Sequence, residues 1–156
     1  MEDARVAHDA ELARVAELAR ELRHELREER GGTLWSTREA RPEPLDDALI
    51  ELSRRDDVLV AVGTTEDALV GYGIARWETL RDGTRLGVID EIYVEPEARG
   101  VGVGELLIER LFAFCLDAGC IGVDATALPG DRQAKNFFER AGFTARSLVM
   151  HRPRER

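Results

Sequence analysis

Three alternating glycines, Gly100, Gly102 and Gly104, follow Arg99 at the junction between a strand-like run and a helix-like run. The first backbone N–H groups of a helix have no internal partner, and the helix dipole favours an anion beside them. A glycine also lets a ligand approach the backbone without a Cβ in the way. The residues therefore predict a phosphate-binding loop, with a tight turn that lets the helix pack closely as the alternative.

The spacing of the glycines argues against two familiar phosphate loops. A Walker A loop ends in Gly-Lys-Ser/Thr, which this stretch lacks. A dinucleotide fingerprint needs Gly-x-Gly-x-x-Gly, and Glu105 stands where its last glycine would be. A dinucleotide-binding domain is also disfavoured by the antiparallel meander that the neighbouring residues predict.

Hydrophobic periodicity and turn residues predict the elements that position this loop. Helices are expected after Asp9, over 45–54, over 105–118 and within 129–143. Strands are expected over 4–7, 58–64, 68–80, 84–94, 120–128 and 143–152. The order β-α-α-β-β-β-α-β-α-β predicts a single α/β domain over residues 1–156.

The composition limits the classes of partner. A net charge of −9 argues against general binding to nucleic acid or to anionic membranes. The charge fits a cationic small partner, although a solubilising surface explains it equally well. No apolar run reaches the ~20 residues of a membrane span, and the acidic N-terminus does not resemble a leader. We therefore expect a cytoplasmic protein.

The residues that bind metals most often show no metal-binding pattern. His8, His24 and His151 are scattered, so we expect no metal site. Cys115 and Cys120 lie in an apolar context and are predicted to be buried free thiols.

The stretch Arg99-x-x-Gly102-x-Gly104 resembles the acyl-CoA-binding motif of the GNAT superfamily of N-acetyltransferases, Arg/Gln-x-x-Gly-x-Gly/Ala. The lead-in "IYVEPEA" and the downstream "AKNFFERAGF" strengthen the resemblance, which covers residues 4–151 in the family's order. It implies a GNAT-like fold, with a mixed, mostly antiparallel sheet of six to seven strands and about four helices. It also implies acetyl-CoA as co-substrate.

The family's binding residues can be transferred position by position. The resemblance implies that backbone amides of the loop hold the pyrophosphate, and that the preceding strand lies along the pantetheine arm. The N–H of Val94 is then the expected donor to the thioester carbonyl, where it would stabilise the oxyanion. The implied cofactor-binding residues are Ile92, Tyr93, Val94, Arg99, Gly100, Val101, Gly102, Val103, Gly104, Asp131 and Phe138.

Two catalytic functions remain open from the sequence. A general base must accept the proton of the attacking amine, and Asp90 and Glu91 are the candidates. We prefer Glu91, because strand alternation places it with Tyr93 and places Asp90 with Val88, Ile92 and Val94.

The general acid is the second open function, because Phe138 stands where the family usually has a tyrosine. Tyr93, Tyr72, Ser147 or solvent are the candidate proton donors. Asp131 stands where the family often has an asparagine. Trp35, in the loop after the first helix, is a candidate wall of the acceptor pocket.

The resemblance implies an N-acetyltransferase that moves an acetyl group from acetyl-CoA to a primary amine of a small molecule or protein, by direct attack in a ternary complex. The alternative is an acyl-CoA-binding sensor or partner module with little catalysis, which the missing tyrosine keeps open. Homodimers are common in the family, so the resemblance allows a homodimer, but the sequence indicates no interface and leaves the oligomeric state open.

Overall fold

A five-stranded mixed sheet forms the centre of the protein in the computed structural model, which describes residues 1–155. The spatial order is the sequence order, with antiparallel pairing from β1 to β4 and parallel pairing of β4 with β5. The strands are β1 Glu2–Val6, β2 Val58–Thr65, β3 Ala68–Thr79, β4 Arg85–Val94 and β5 Cys120–Ala125.

Five helices cover the two faces of this sheet in the described range. They are α1 Leu12–Arg27, α2 Gly32–Leu34, α3 Leu45–Ser53, α4 Val103–Asp117 and α5 Arg132–Arg140. The apolar stripe of α1 and the buried side of α3 pack on one face, against Val60, Val62, Tyr72 and Tyr93. Helix α4 packs on the other face, where Phe138 of α5 joins the same core. Because both faces are covered, the sheet buries apolar side chains on each side.

The strands that flank the glycine loop are where the sequence predicts them. The β3–β4 hairpin turns at Asp82-Gly83, and Gly83 adopts φ +88°, a conformation that suits glycine. A parallel neighbour needs a crossover connection, and α4 supplies it between β4 and β5. The loop therefore sits at the end of β4, where the chain leaves the sheet to begin α4.

The predicted numbers of strands and helices are wrong. Residues 143–155 contain no strand, although a last strand is predicted over 143–152. Leu148, Val149 and Met150 are each more than 80% exposed. These three apolar residues are consecutive and not alternating, so they give a strand no buried face and no register. The extra helix, α2, lies in a segment predicted to be loop, where it continues into a π-helical turn over Trp35–Glu39.

Candidate functional site

The backbone at the start of α4 is shaped by two left-handed glycines. Gly100 has φ +87° and Gly102 has φ +97°, and a Cβ on either would project into open space. Gly102 caps α4, and no side chain accepts from the first turn within the described residues. The first N–H groups of the helix, on Val103, Gly104 and Glu105, have no intrahelical partner by geometry. The loop therefore presents bare N–H groups beside open space, which is what an anionic group needs.

Gly104 has a different function from the other two glycines. A Cβ at this position would lie 3.1 Å from Cε1 of Phe137, so the glycine lets α4 pack closely on α5. Val103 is buried in the core under α4, whereas Val101 is half exposed. The predicted loop thus combines ligand-facing backbone at Gly100 and Gly102 with the helix packing that was the alternative interpretation.

The side chain of Arg99 braces the loop to the end of β4. Its Nε donates to the carbonyl of Val94 at 2.8 Å, and its Nη2 donates to Glu25 at 3.0 Å. Its guanidinium carbon also lies 5.4 Å from the ring centroid of Tyr93. Much of its charge is therefore offset by Glu25, and its main contribution is to hold the loop against the strand.

The backbone of β4 is open on one side at Val94. The N–H of Glu95 donates to Val70 of the β3 side at 2.9 Å. Backbone groups alternate in direction along a strand, so the N–H of Val94 points away from β3. The pairing of β4 with β5 ends at Ile89 opposite Ala125, so no strand of the described chain faces Val94 on that side. This N–H is placed to donate to a carbonyl oxygen in the gap.

A β-bulge at Asp90 changes which side chains share a face of β4. Ile74 lies opposite Glu91 and Ala75 lies opposite Ile89, so Asp90 is an extra residue without a partner. Arg41 donates to both Asp90 and Glu91, at 2.8 and 2.7 Å, so these carboxylates lie on the same side. The prediction that Asp90 shares a face with Ile92 and Val94 is therefore wrong. An extra residue interrupts the two-residue alternation that the prediction assumed.

Glu91 lies in a buried ion-pair network. Its Oε1 accepts from Arg23 at 3.0 Å and from the hydroxyl of Tyr72 at 2.6 Å. Its Oε2 accepts from Arg41 at 2.7 Å. The Glu91 side chain is 3% exposed and that of Arg23 is 11% exposed, so both charges have lost most of their hydration. Each depends on the other for compensation.

The network makes Glu91 a weak proton acceptor. Burial raises the pKa of the Glu91 carboxyl, but the charge and hydrogen bonds of Arg23, the hydrogen bond of Tyr72 and the charge of Arg41 outweigh burial, and the net pKa is below the ordinary value. Both carboxylate oxygens are already occupied by donors. The preferred assignment of Glu91 as general base stays a prediction, and this geometry favours a positioning function for the residue.

Five of the candidate binding and catalytic residues meet in one cleft on the sheet. Asp90, Glu91, Ile92, Asp131 and Phe138 line it, and Trp35 forms part of its wall. Asp131 caps α5, because its carboxylate accepts from the N–H of Ala134 at 3.1 Å. Phe138 is buried and packs with Phe137 and Phe143, at centroid distances of 5.6 and 5.5 Å. The ring therefore presents an apolar surface where the family usually has a hydroxyl.

The candidate substitutes for the missing acid differ in their surroundings. Tyr72 is fully buried and donates to Glu91; burial, then the charge of Glu91, raise its pKa well above the ordinary value. Burial, then the charges of Glu25 and Glu21, raise the pKa of Tyr93 to about 12. Ser147 is exposed in the irregular C-terminal segment. Both tyrosines hold their protons tightly, which leaves solvent as the simplest donor.

Arg23, Arg41 and Tyr72 are the site residues that sequence reasoning missed or placed in another role. Arg23 lies 68 positions and Arg41 lies 50 positions before Glu91, so no local spacing connects them. One signal was available: a glutamate inside the apolar strand run "VIDEIYV" requires a cationic partner if it is buried. That signal predicts an arginine without saying which one.

Groups outside the cleft add little chemistry. Cys115 and Cys120 are buried free thiols, as predicted, and burial raises the pKa of Cys115 to about 11. Among residues 1–155, no group of three or more His, Cys, Asp or Glu side chains could hold a metal ion. In the same range, no helix is both long enough and apolar enough to cross a membrane.

Comparison with known proteins supplies the family. The model of the acetyltransferase (GNAT) family matches residues 16–143. A thialysine N-epsilon-acetyltransferase of Bos taurus is 30% identical over 73 residues, which is 47% of this chain and 43% of that protein. A probable glucosamine 6-phosphate N-acetyltransferase of Oryza sativa is 28% identical over 71 residues, 46% of this chain and 41% of that protein. The chain thus matches less than half the length of these relatives.

Solved structures show the same fold at low identity. A glucosamine-6-phosphate N-acetyltransferase of Arabidopsis thaliana superposes with a TM-score of 0.72 at 20% identity, over 99% of each chain. A Trypanosoma brucei acetyltransferase superposes with a TM-score of 0.69 at 22% identity, over 98% of this chain and 99% of that one. With a family model that matches most of its length and a GNAT-like fold, the chain belongs to the acetyltransferase (GNAT) family.

Proposed function

We propose that this protein transfers the acetyl group of acetyl-CoA to a primary amine, by direct attack of the amine in a ternary complex. The observation that carries the proposal is the junction of β4 and α4. There the N–H of Val94 points into the gap beyond β5, and the left-handed Gly100 and Gly102 expose the first N–H groups of α4. A thioester carbonyl can accept a hydrogen bond from a single backbone donor such as the N–H of Val94. A pyrophosphate can accept from several N–H groups together, such as those at the start of α4, which follow Val94 in the chain.

The loop from Arg99 to Gly104 would hold the pyrophosphate through its backbone, with Arg99 keeping the loop against β4. Residues Ile92 to Val94 would run beside the pantetheine arm. The N–H of Val94 would stabilise the oxyanion that forms when the amine attacks. A fixed backbone donor needs no reorganisation during the reaction, so it contributes most where water is excluded.

The amine must lose a proton, because a lysine-like amine has a pKa of about 10. We propose that water in the cleft takes this proton and that Glu91 holds Arg23 and Arg41 in place. Support for this assignment comes from the occupied oxygens of Glu91 and from its lowered pKa. The variant Glu91→Gln tests the competing assignment of Glu91 as base.

The second candidate function is an acyl-CoA-binding module with little catalysis. Phe138 favours it, because a phenyl ring in the cleft has no proton for the departing thiolate. A CoA thiolate is nevertheless a tolerable leaving group near neutral pH. The similar thialysine and glucosamine 6-phosphate N-acetyltransferases transfer acetyl groups to amines, which supports the enzyme. Homodimerisation stays open.

The decisive experiment combines CoA binding with turnover of acetyl-CoA across a panel of amines. Gly102→Glu should abolish CoA binding, because it places a side chain and a negative charge over the exposed N–H groups. Gly83→Glu is the matched control, since Gly83 is also left-handed with open space around it and lies in the β3–β4 turn. Equal loss of CoA binding in both variants would show backbone strain and not a blocked site. Tight CoA binding without turnover of any amine would favour the binding module.

A further inference from the structure

A pocket of about 340 Å³ lies beside α1, on the flank that faces the segment after α2. Its lining is strongly basic and contains Arg20, Arg23, His24, Arg27 and Arg41, with Glu43 as its one carboxylate among the described residues. The four residues from α1 are spaced i, i+3, i+4 and i+7, so they form one face of the helix. Four arginines thus line the pocket against one glutamate, and Asp46, Asp90 and Glu91 pair with three of these arginines from outside the lining.

The arginines of this basic pocket form ion pairs, mostly with carboxylates that lie outside the pocket lining. Glu91 and Asp90 fix Arg23 and Arg41 from the sheet side, and neither carboxylate lines the pocket. Arg20 pairs with Glu43 and with Asp46 at the rim. These contacts fix the guanidinium groups and leave Nη1 of Arg20 and Nε of Arg41 without a hydrogen-bond partner among the described residues. Such preorganised donors suit a carboxylate or a phosphate.

Three further groups of the pocket have no hydrogen-bond or ion-pair partner within residues 1–155, and two of them belong to exposed side chains. Neither Arg27 nor His24 makes a salt bridge or a side-chain hydrogen bond there. The Nε of Arg23 is buried without a hydrogen-bond partner. A buried donor without a partner is costly, so this part of the network is strained in the free protein.

The basic pocket and the cleft have no lining residue in common, but Arg23 of the pocket contacts Trp35 and Glu91 of the cleft. The guanidinium carbon of Arg23 lies 5.8 Å from the ring centroid of Trp35, and Trp35 lines the cleft with Glu91 and Phe138. Glu91, which Arg23 and Arg41 both contact, precedes Val94 by three residues of extended strand, roughly 10 Å. Arg23, Trp35 and Glu91 therefore lie between the basic pocket and the cleft, and an acceptor that used both would have to span these residues.

We infer that the acceptor amine also carries an oxyanion, a carboxylate or a phosphate, and that the basic pocket binds this group while the amine enters the cleft. The inference rests on the proposed function, because it names the substrate class of that site. It replaces the cationic acceptor that the net charge fits. The net charge is a sum over the whole protein, whereas the acceptor would contact only the lining of the pocket, which has four arginines, His24 and Glu43.

The first test compares amines that differ by one anionic group. Lysine is compared with cadaverine for a carboxylate, and O-phosphoethanolamine with ethanolamine for a phosphate, by the rate of CoA thiol release. One charge-assisted hydrogen bond is worth 1.5–3 kcal/mol, so the anionic member of a pair should gain about tenfold or more in kcat/KM. Arg27→Gln should reduce that ratio, and Arg81→Gln, in the exposed β3–β4 turn, should preserve it. A ratio of one or less in both pairs overturns the inference while leaving acetyl transfer intact.

The second test does not require turnover. Inorganic phosphate and acetate are titrated into protein labelled with ¹⁵N-arginine, and the side-chain Nε–H signals are followed by NMR. We expect saturable shifts in the native protein and in Arg81→Gln, and weaker binding of at least one anion in Arg27→Gln. Absence of such Arg27-dependent binding overturns the inference. Shifts of Arg27 on titration with CoA alone would assign the pocket to the phosphates of CoA, which also overturns it. Failure of acetyl transfer to every amine would instead count against the proposed function.

Discussion

The hydroxyl of Tyr72 donates a 2.6 Å hydrogen bond to Oε1 of Glu91, from one central strand to the next. Tyr72 is fully buried on the α1 face of the sheet, and Glu91 is 5% exposed. The bond satisfies a buried hydroxyl and part of a buried carboxylate, and Arg23 and Arg41 satisfy the remainder. The floor of the candidate site is therefore built from residues of α1, β3, β4 and the segment after α2.

Tyr72→Phe should lower the free energy of unfolding by about 2 kcal/mol, because it removes a buried hydrogen bond to a charged group. Urea denaturation measures the change. Tyr93→Phe is the matched control, since the Tyr93 hydroxyl makes a longer bond of 3.3 Å to Glu21. Similar losses in the two variants would mean that the hydroxyl of Tyr72 has no special weight in the network.

Glu91→Gln separates a positioning function from a general-base function. With its pKa below the ordinary value, Glu91 does not titrate between about pH 6 and 9. We expect kcat/KM for the amine to rise with pH in the same way in the native protein and in Glu91→Gln, following the acceptor's own amine. A limb of the pH profile that disappears in the variant, with a loss of 10² or more in rate, would restore Glu91 as the base.

Acid should destabilise the protein through its paired carboxylates. The folded pKa of Glu91 is lowered, and the hydrogen bond to Arg5 lowers the pKa of Glu11 to about 2. A lowered folded pKa gives stability that is present above the unfolded pKa of about 4.3 and is lost as pH falls through the folded pKa. The melting temperature should thus fall steeply between about pH 4.5 and pH 2.

The same melting curves test the source of this acid sensitivity. Glu91→Gln should be less stable at neutral pH by about 3 kcal/mol, because the mostly buried Arg23 loses its one carboxylate partner among the described residues and Arg41 keeps only Asp90. It should also show a shallower acid dependence than the native protein. An identical slope in the two proteins would place the acid-sensitive group elsewhere.

Phe138→Tyr should raise kcat by about tenfold if protonation of the thiolate limits turnover, since it adds a hydroxyl where Phe138 lines the cleft. Turnover of acetyl-CoA at saturating amine measures this. Phe112→Tyr is the control, because Phe112 packs with Phe143 and does not line the cleft. An unchanged kcat in Phe138→Tyr would show that solvent protonates the thiolate fast enough.

Local features of this protein could be predicted from the sequence because their causes lie within a few residues. Glycine permits the left-handed backbone that Gly100 and Gly102 adopt, and the apolar periodicity after them predicts α4. For the same reason, the predicted ends of β2, β3 and β4 lie within one residue of the observed ends. The family follows from these features, since the loop and its flanking strand and helix are contiguous.

Features that depend on a partner distant in sequence could not be predicted. The segment at 143–152 has residues that favour strands, yet a strand also needs a neighbour and a buried face, and the segment has neither within the described residues. The bulge at Asp90 appears only when β4 is paired with β3, and it turned both carboxylates towards Arg41.

The sequence by itself determined the GNAT fold class and the position of the loop at Arg99 to Gly104, because backbone conformation and hydrophobic period are local properties. Only the tertiary structure decided the surroundings of Glu91, because Arg23 and Arg41 reach it across 68 and 50 residues. The charges and hydrogen bonds of Arg23, Tyr72 and Arg41 then decide the outcome, because they outweigh burial and leave Glu91 a weaker base than a free carboxylate in water.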